Sequence, residues 1–242
     1  MKVLRNWEEV GASVNDLKEM GLPTHSDPTK CWDFDNIRKT FSARVSRDAS
    51  VVDLGCGPSV YGCMTLELLR AMGYRRLLGI DSRVPLYARL AAAMRGWREF
   101  GTPFPYRVIS SDLISTGLER GSVDAAVLLS VVEHGVDLEK LFAELDRILK
   151  GGGLVYLSTD YWEEPLEGGG SIVASGPYKN DPLPWSILDR SSVEELLDTA
   201  ESFGFRVLGS REIPPCKDRT VFWQGRRYTF IAIEFEKVDD GR

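Results

Sequence analysis

Apolar residues along this chain fall into two alternating patterns. Short, continuously apolar runs occur at Ser50 to Leu54, Arg76 to Ile80, Tyr106 to Ser110, Ala125 to Leu129 and Leu154 to Ser158. Each is too short and too uniformly apolar for a surface helix, and predicts a strand buried on both faces, as in a parallel sheet. Between them, Tyr61 to Met72, Pro85 to Trp97 and Leu138 to Leu149 carry apolar residues at helical spacing. In the third, Leu138, Leu141, Phe142, Leu145, Ile148 and Leu149 form the stripe. These segments predict crossover helices laid over the sheet.

The flanks read differently. Residues 1–48 are polar, with apolar patches from Trp7 to Leu17 and Trp32 to Val45 on either side of the turn-rich stretch Gly21 to Pro28. They predict an N-terminal helical cap ahead of one domain over 49–242. Beyond Ser158 an irregular segment, 161–189, carries Tyr161, Trp162, Tyr178 and Trp185 around Gly168-Gly169-Gly170. A glycine hinge with aromatic walls suits a lid over a bound molecule; Trp185 would equally serve to anchor the returning chain. A helix follows, with a capping-box start at Ser191-Ser192-Val193-Glu194-Glu195. Phe205 to Ser210 and Tyr228 to Glu236 read as a terminal hairpin. The fold expected is α/β: a doubly wound sheet of about seven strands, mostly parallel, with an antiparallel C-terminal hairpin.

Chemistry enters at the end of the first strand. Val51-Val52-Asp53-Leu54-Gly55-Cys56-Gly57-Pro58 puts two glycines between a strand and a helix, where the backbone must take positive φ or lie against a ligand. Alone this is also an ordinary strand-to-helix turn. Asp81, ending the second strand, is placed to bind both ribose hydroxyls of an adenosine, and Asp112, beyond the third, to accept from an adenine amine. Each aspartate singly would serve as well to cap a helix; together they favour an adenosine ligand. A dinucleotide fingerprint would want a third glycine where Val60 stands. Asp53 would sit badly beside a pyrophosphate but well beside an amino group, which points to S-adenosylmethionine.

With these motifs the chain resembles the class I S-adenosylmethionine-dependent methyltransferases, specifically the type 11 group of small-molecule enzymes, whose fold is Rossmann-like. The family's D-x-G-x-G is matched by Asp53, Gly55 and Gly57, its acidic strand ends by Asp81 and Asp112, and its E-H pair by Glu133 and His134. Its L-K-P-G-G appears as Leu149-Lys150-Gly151-Gly152-Gly153. The cofactor-binding residues expected are Asp53, Gly55, Cys56, Gly57, Pro58, Asp81, Ser82, Asp112, Leu113 and Ser130. In similar enzymes an N-terminal helix closes over the cofactor, which brings in Lys30, facing its carboxylate, and Trp32.

Methyl transfer requires mainly that a nucleophile be aligned and water excluded, with a base only where a proton must leave. The catalytic candidates are His134, Glu133, Asp160 and Tyr161. His134 is the first choice of base for a hydroxyl acceptor, and otherwise a structural residue bonded to nearby backbone. Glu133 reads as support for the loop. Asp160 and Tyr161 are expected to face the acceptor, Asp160 serving otherwise as a loop cap and Tyr161 otherwise packing under the long loop. Neither the Asn/Asp-Pro-Pro-Tyr/Phe motif of amino methylation nor a Pro-Cys nucleophile stands at 130–133, which reads Ser-Val-Val-Glu.

Composition narrows the partners. The chain of 242 residues is 43% hydrophobic and carries 30 basic against 36 acidic residues, a net charge of −6. An acidic chain gains nothing from its own field in finding nucleic acid, so a small-molecule acceptor is expected and a nucleic-acid partner disfavoured. Arg219, Arg226 and Arg227 are the one basic cluster that keeps a protein or tRNA acceptor open. Four cysteines without a CxxC pair and two distant histidines, His25 and His134, give no metal site. With no 18-residue apolar stretch, a cytoplasmic monomer or homodimer is expected. A nicotinamide oxidoreductase and a non-catalytic, cofactor-binding activating subunit are the alternatives from other classes.

Overall fold

The computed structural model describes residues 1–57, 64–82, 84, 90, 93–94, 97–98, 101–102, 106–166, 170–172 and 183–239. Its centre is a parallel sheet of β2 (Ser50–Leu54), β3 (Arg76–Asp81), β4 (Arg107–Ser110), β5 (Val123–Leu129) and β6 (Leu149–Tyr161). The long strand β11 (Arg226–Lys237) joins β6 antiparallel, from Thr229 opposite Tyr161 to Glu236 opposite Leu154. From β11 the order runs β6, β5, β2, β3, β4. Strand succession therefore reverses at β2, and the ends of β2 and β5 flank a crevice of the kind in which open α/β sheets bind ligands. The fold is the mixed, mostly parallel Rossmann-like sheet that the strand and helix pattern predicts.

Strand alternation sorts the core onto two faces. Val51, Ala125 and Tyr156 point to the side covered by α1 (Trp7–Glu19), α2 (Lys30–Arg44) and α3 (Met64–Ala71). Val52, Ala126, Leu128, Val155 and Leu157 point to α4 (Leu138–Ile148) and α5 (Arg190–Ser202). The stripe of α4 is buried at Leu141, Phe142, Leu145 and Ile148, as its spacing requires. Residues of α1 and α2 share their core with the sheet: Val10, Leu17, Phe34, Ile37 and Phe41 are buried in one cluster with Val51 and Tyr156.

Several elements depart from expectation. Among the described residues the sheet has nine strands, where about seven were expected. The additional ones, β1 (Lys2–Val3) and β10 (Val221–Trp223), are too short to show a period. Both lie on β11, as does β9 (Phe205–Val207). β10 turns into β11 through Gln224 and Gly225, whose φ of 48° and 78° make the two-residue turn that suits the twist of a hairpin. Helix α5 is capped by Asp189, which accepts from the Ser192 N–H, and not by the serine of the expected capping box. The short strands β7 (Gly170–Ile172) and β8 (Leu183–Trp185) pair within the 161–189 segment. Of the helix expected over 85–97, residues 90, 93, 94 and 97 are described and are helical; the rest of it, residues 61–63 and most of the glycine hinge with Tyr178 lie outside the described residues.

Candidate functional site

At the crevice, the turn after β2 is built by backbone geometry. Gly55 and Gly57 take φ of 76° and 60°. A Cβ on Gly55 would stand 2.7 Å from Val131 Cγ2, so this turn touches the segment leaving β5 and only glycine fits. The Gly55 and Cys56 N–H groups donate to the Ile80 carbonyl, at 2.7 and 3.2 Å, and the Gly57 N–H donates to Asp81 Oδ2 at 3.2 Å. The carboxylate at the end of β3 therefore holds the glycine turn in place. Gly79 contributes a close approach that sequence reading missed: a Cβ there would meet Cys56 Sγ at 2.7 Å and Leu66 Cδ1 at 2.8 Å. A glycine inside a strand is the signal that would have found it.

Asp53 is the electrostatic anomaly of this turn. It is buried, and its Oδ2 has no hydrogen-bond partner. Burial, helped by the charge of Asp81, pushes its carboxyl up to about 8. Asp112 lies two residues past β4, where its Oδ1 accepts from the Ile114 N–H and shapes its own turn. Ser82 is exposed and its carbonyl accepts from Ser110 Oγ; Leu113 packs partly against the core. Pro58 lies outside the described residues.

On the other side of the crevice, β5 ends at Ser130, which holds φ at 56°, a conformation rare for a residue other than glycine. Its hydroxyl accepts from Lys30 Nζ, brought across from the first turn of α2. A cation at a helix N-terminus opposes the helix dipole, so other groups must hold it there. They are Asp33, with Oδ2 at 3.7 Å, and the Phe230 ring, whose centroid is 3.5 Å from Nζ. Asp33 is fully buried and accepts from the Tyr156 hydroxyl at 3.1 Å. Burial raises its pKa, with Lys30 pulling the other way.

Two further buried carboxylates complete this half. Glu133 accepts from Thr159 Oγ1 at 2.9 Å, and its carbonyl takes the Ser186 N–H. Burial raises its pKa against the pull of Lys30. Asp160 accepts from Trp185 Nε1 at 2.8 Å and is hydrogen-bonded to the Tyr228 side chain. Burial and then Glu133 push it up to about 7. Lys30, Ser130, Glu133, His134, Asp160 and Trp185, together with Asp27 and residues of the β10–β11 hairpin, enclose a pocket of about 200 Å³. His134 stands at the end of the 3-10 turn Val132–His134, with Nδ1 2.9 Å from the Pro184 carbonyl oxygen. A carbonyl only accepts, so Nδ1 carries the proton and a neutral ring keeps its lone pair on Nε2.

Two of the expected site residues point elsewhere. Tyr161 follows Asp160 in β6, so alternation turns it to the opposite face, where it is buried in the core beside α5. Trp32, two residues beyond Lys30 on α2, is buried and lines a separate cleft between α1, α2 and β1. The arginine cluster is likewise divided. Arg226 pairs in register with Trp223 on the face of Tyr228, whereas Arg227 pairs with Phe222 on the other. Asp33, Thr159 and Tyr228 were not found from sequence; the aspartate looks like a helix-start residue, and Tyr228 like an ordinary strand residue. Among the described residues no helix is long and apolar enough to cross a membrane.

Residues 52–157 match a family model described as a methyltransferase domain. The chain is 27% identical, over 78% of its length and 60% of the relative's, to a tRNA U34 carboxymethyltransferase of Campylobacter jejuni. It is 33% identical to a ubiquinone biosynthesis O-methyltransferase of Methylococcus capsulatus, over 60% of this chain and 61% of that one. The chain thus spans about three fifths of the length of the curated relatives it matches. Among solved structures, the geranyl diphosphate C-methyltransferase of Streptomyces coelicolor, which holds S-adenosyl-L-homocysteine, aligns with a TM-score of 0.58 at 17% identity, covering 92% of this chain and 86% of that one. The 1,6-didemethyltoxoflavin-N1-methyltransferase of Burkholderia thailandensis aligns at 0.57 and 15% identity, covering 99% and 93%.

Proposed function

We propose that residues 52–157, which match the methyltransferase-domain model, form an S-adenosylmethionine-dependent methyltransferase domain of the class I, type 11 group, and that the protein transfers a methyl group to an oxygen of a small-molecule acceptor. The observation that carries the reading is the orphaned, buried carboxylate of Asp53 beside a glycine turn that a Cβ would block. Both features fit the cofactor: an unpaired carboxylate suits its amino group, and a bare backbone suits close approach. Asp53, Gly55, Gly57 and Asp81 would hold it, with Asp112 and Ser130 on the same rim of the sheet. Bound there, it would supply an electrophilic methyl group, with a neutral thioether as the leaving group.

The chain's own residues then have three tasks. The pocket between Ser130 and the β10–β11 hairpin orients the acceptor and limits water around it. His134 Nε2 takes the hydroxyl proton, while its Nδ1–H bond to Pro184 fixes the ring. Lys30 lies among Asp33, Glu133 and Asp160 and pulls their pKa values down against the burial that raises them. The relatives' names record acceptors as different as a tRNA, a quinone precursor and a prenyl diphosphate, so the acceptor is argued from this pocket and not from them.

Calorimetric titration with S-adenosylmethionine and S-adenosylhomocysteine, on wild type and Asp81→Ala, tests the cofactor half. The expected result is binding that weakens by about 1–3 kcal/mol in the variant. Absence of binding by either compound overturns the reading and makes NADH the next ligand. Release of S-adenosylhomocysteine that depends on an added acceptor separates an enzyme from a non-catalytic subunit. Label appearing on tRNA would favour the macromolecular alternative.

A further inference from the structure

The pocket beside His134 has a composition that itself selects a ligand. Its floor carries two carboxyl groups: Asp160 and Glu133 are 5% and 2% exposed, and both line a cavity of about 200 Å³. Its walls are aromatic, with Trp185, Tyr228 and Phe230 buried around it. At the mouth, Trp223 lines the cavity while 48% exposed. The register of β10 on β11 sets Trp223 on the same face as Tyr228, which also lines the cavity. An indole this exposed beside two buried carboxylates is not explained by packing.

We infer that the acceptor is a glycosyl ring, a cyclic polyol whose hydroxyls reach Asp160 and Glu133 and whose flat C–H face lies on Trp223. This rests on the methyl-transfer reading above. A flat phenolic or other aromatic acceptor has two apolar faces and few donors, and would bury both carboxylates against carbon without new partners. A polyol offers O–H donors around its equator for the carboxyl lone pairs that Trp185, Tyr228 and Thr159 leave free, and an apolar face for the aromatic wall. A cavity of about 200 Å³ leaves room for one six-membered ring with its substituents. One hydroxyl of that ring, directed at His134, is the methylated oxygen: it loses its proton to Nε2 and gains the methyl carbon.

The test uses the full chain with S-adenosylhomocysteine, whose binding is first measured by calorimetry. Saturation-transfer NMR is then run with methyl α-mannopyranoside, methyl α-rhamnopyranoside, UDP-glucose, caffeic acid and tRNA, the first two against the third distinguishing a free ring from a nucleotide-activated one. The expected result is transfer to the ring protons of at least one pyranoside, concentrated on one face. Affinity for it falls about tenfold or more in Trp223→Ala and under about threefold in Trp223→Phe, with S-adenosylhomocysteine affinity unchanged in both. The inference is overturned if S-adenosylhomocysteine binds but no pyranoside does at millimolar concentration, or if caffeic acid or tRNA binds in their place. Failure of S-adenosylhomocysteine itself to bind would sink the methyl-transfer reading instead.

Discussion

The two halves of the crevice are made in opposite ways. The glycine turn with Asp53, Gly55, Gly57 and Asp81 comes from two adjacent strands and works through backbone conformation and one carboxylate bonded to an N–H. The acceptor pocket is assembled from residues near 30, 130, 160, 185 and 221–230, and works through side chains whose charges hold one another in place. The first half tolerates almost no change of shape but needs few partners. The second depends on distant elements arriving together, and is where one such domain can differ from another in what it methylates.

That contrast can be broken at four points. The largest effect is expected for His134→Ala, which should lower turnover by about 10²–10⁴-fold while leaving S-adenosylhomocysteine affinity unchanged; equal loss of both would mean that the halves are not separable. Gly55→Val should do the reverse of a selective lesion. With positive φ and contact with Val131 it should cost about 3 kcal/mol or more in thermal unfolding and abolish cofactor binding; a stable variant that still binds would refute the backbone argument.

Asp53→Asn sharpens the comparison through pH. In the ligand-free protein Asp53 keeps its proton up to about 8, whereas an unfolded chain loses it near the ordinary carboxylate value of about 4. The folded state therefore binds the extra proton across that window, and stability falls as pH rises through it. The variant should lose this slope, unfold at higher temperature than wild type as pH nears 8, and bind the cofactor about 1.5–3 kcal/mol more weakly. The smallest effect is expected for Arg227→Ala. On the far face of the hairpin, it should change stability by less than about 0.5 kcal/mol and leave acceptor methylation as it is. A marked change in acceptor KM would mean that the hairpin faces are misassigned.

The same contrast decides what could be read in advance. Strands β2 to β6 and helix α4 were legible because each spans enough residues to show its period, and the glycine turn because its parts are contiguous. β1 and β10 escaped because two or three residues have no period. Lys30 was singled out for a cofactor carboxylate; its contacts with Ser130 and Phe230, from two distant elements, are ones that sequence alone does not bring together. Tyr161 was assigned to the pocket because it adjoins Asp160, although neighbours in a strand face opposite ways.

The outer edge of β11 carries three short strands, from residues 2–3, 205–207 and 221–223. As the chain leaves the ribosome, β11 is the last of these elements to appear, and until it does the first residues have no edge to pair with. Tyr228 and Phe230, which border the acceptor pocket, and the aromatic seat of Lys30 arrive with it. The glycine turn, by contrast, has its partner strands long before. A nascent chain would therefore have its glycine turn assembled early, and the pocket proposed for the acceptor only once β11 had been made.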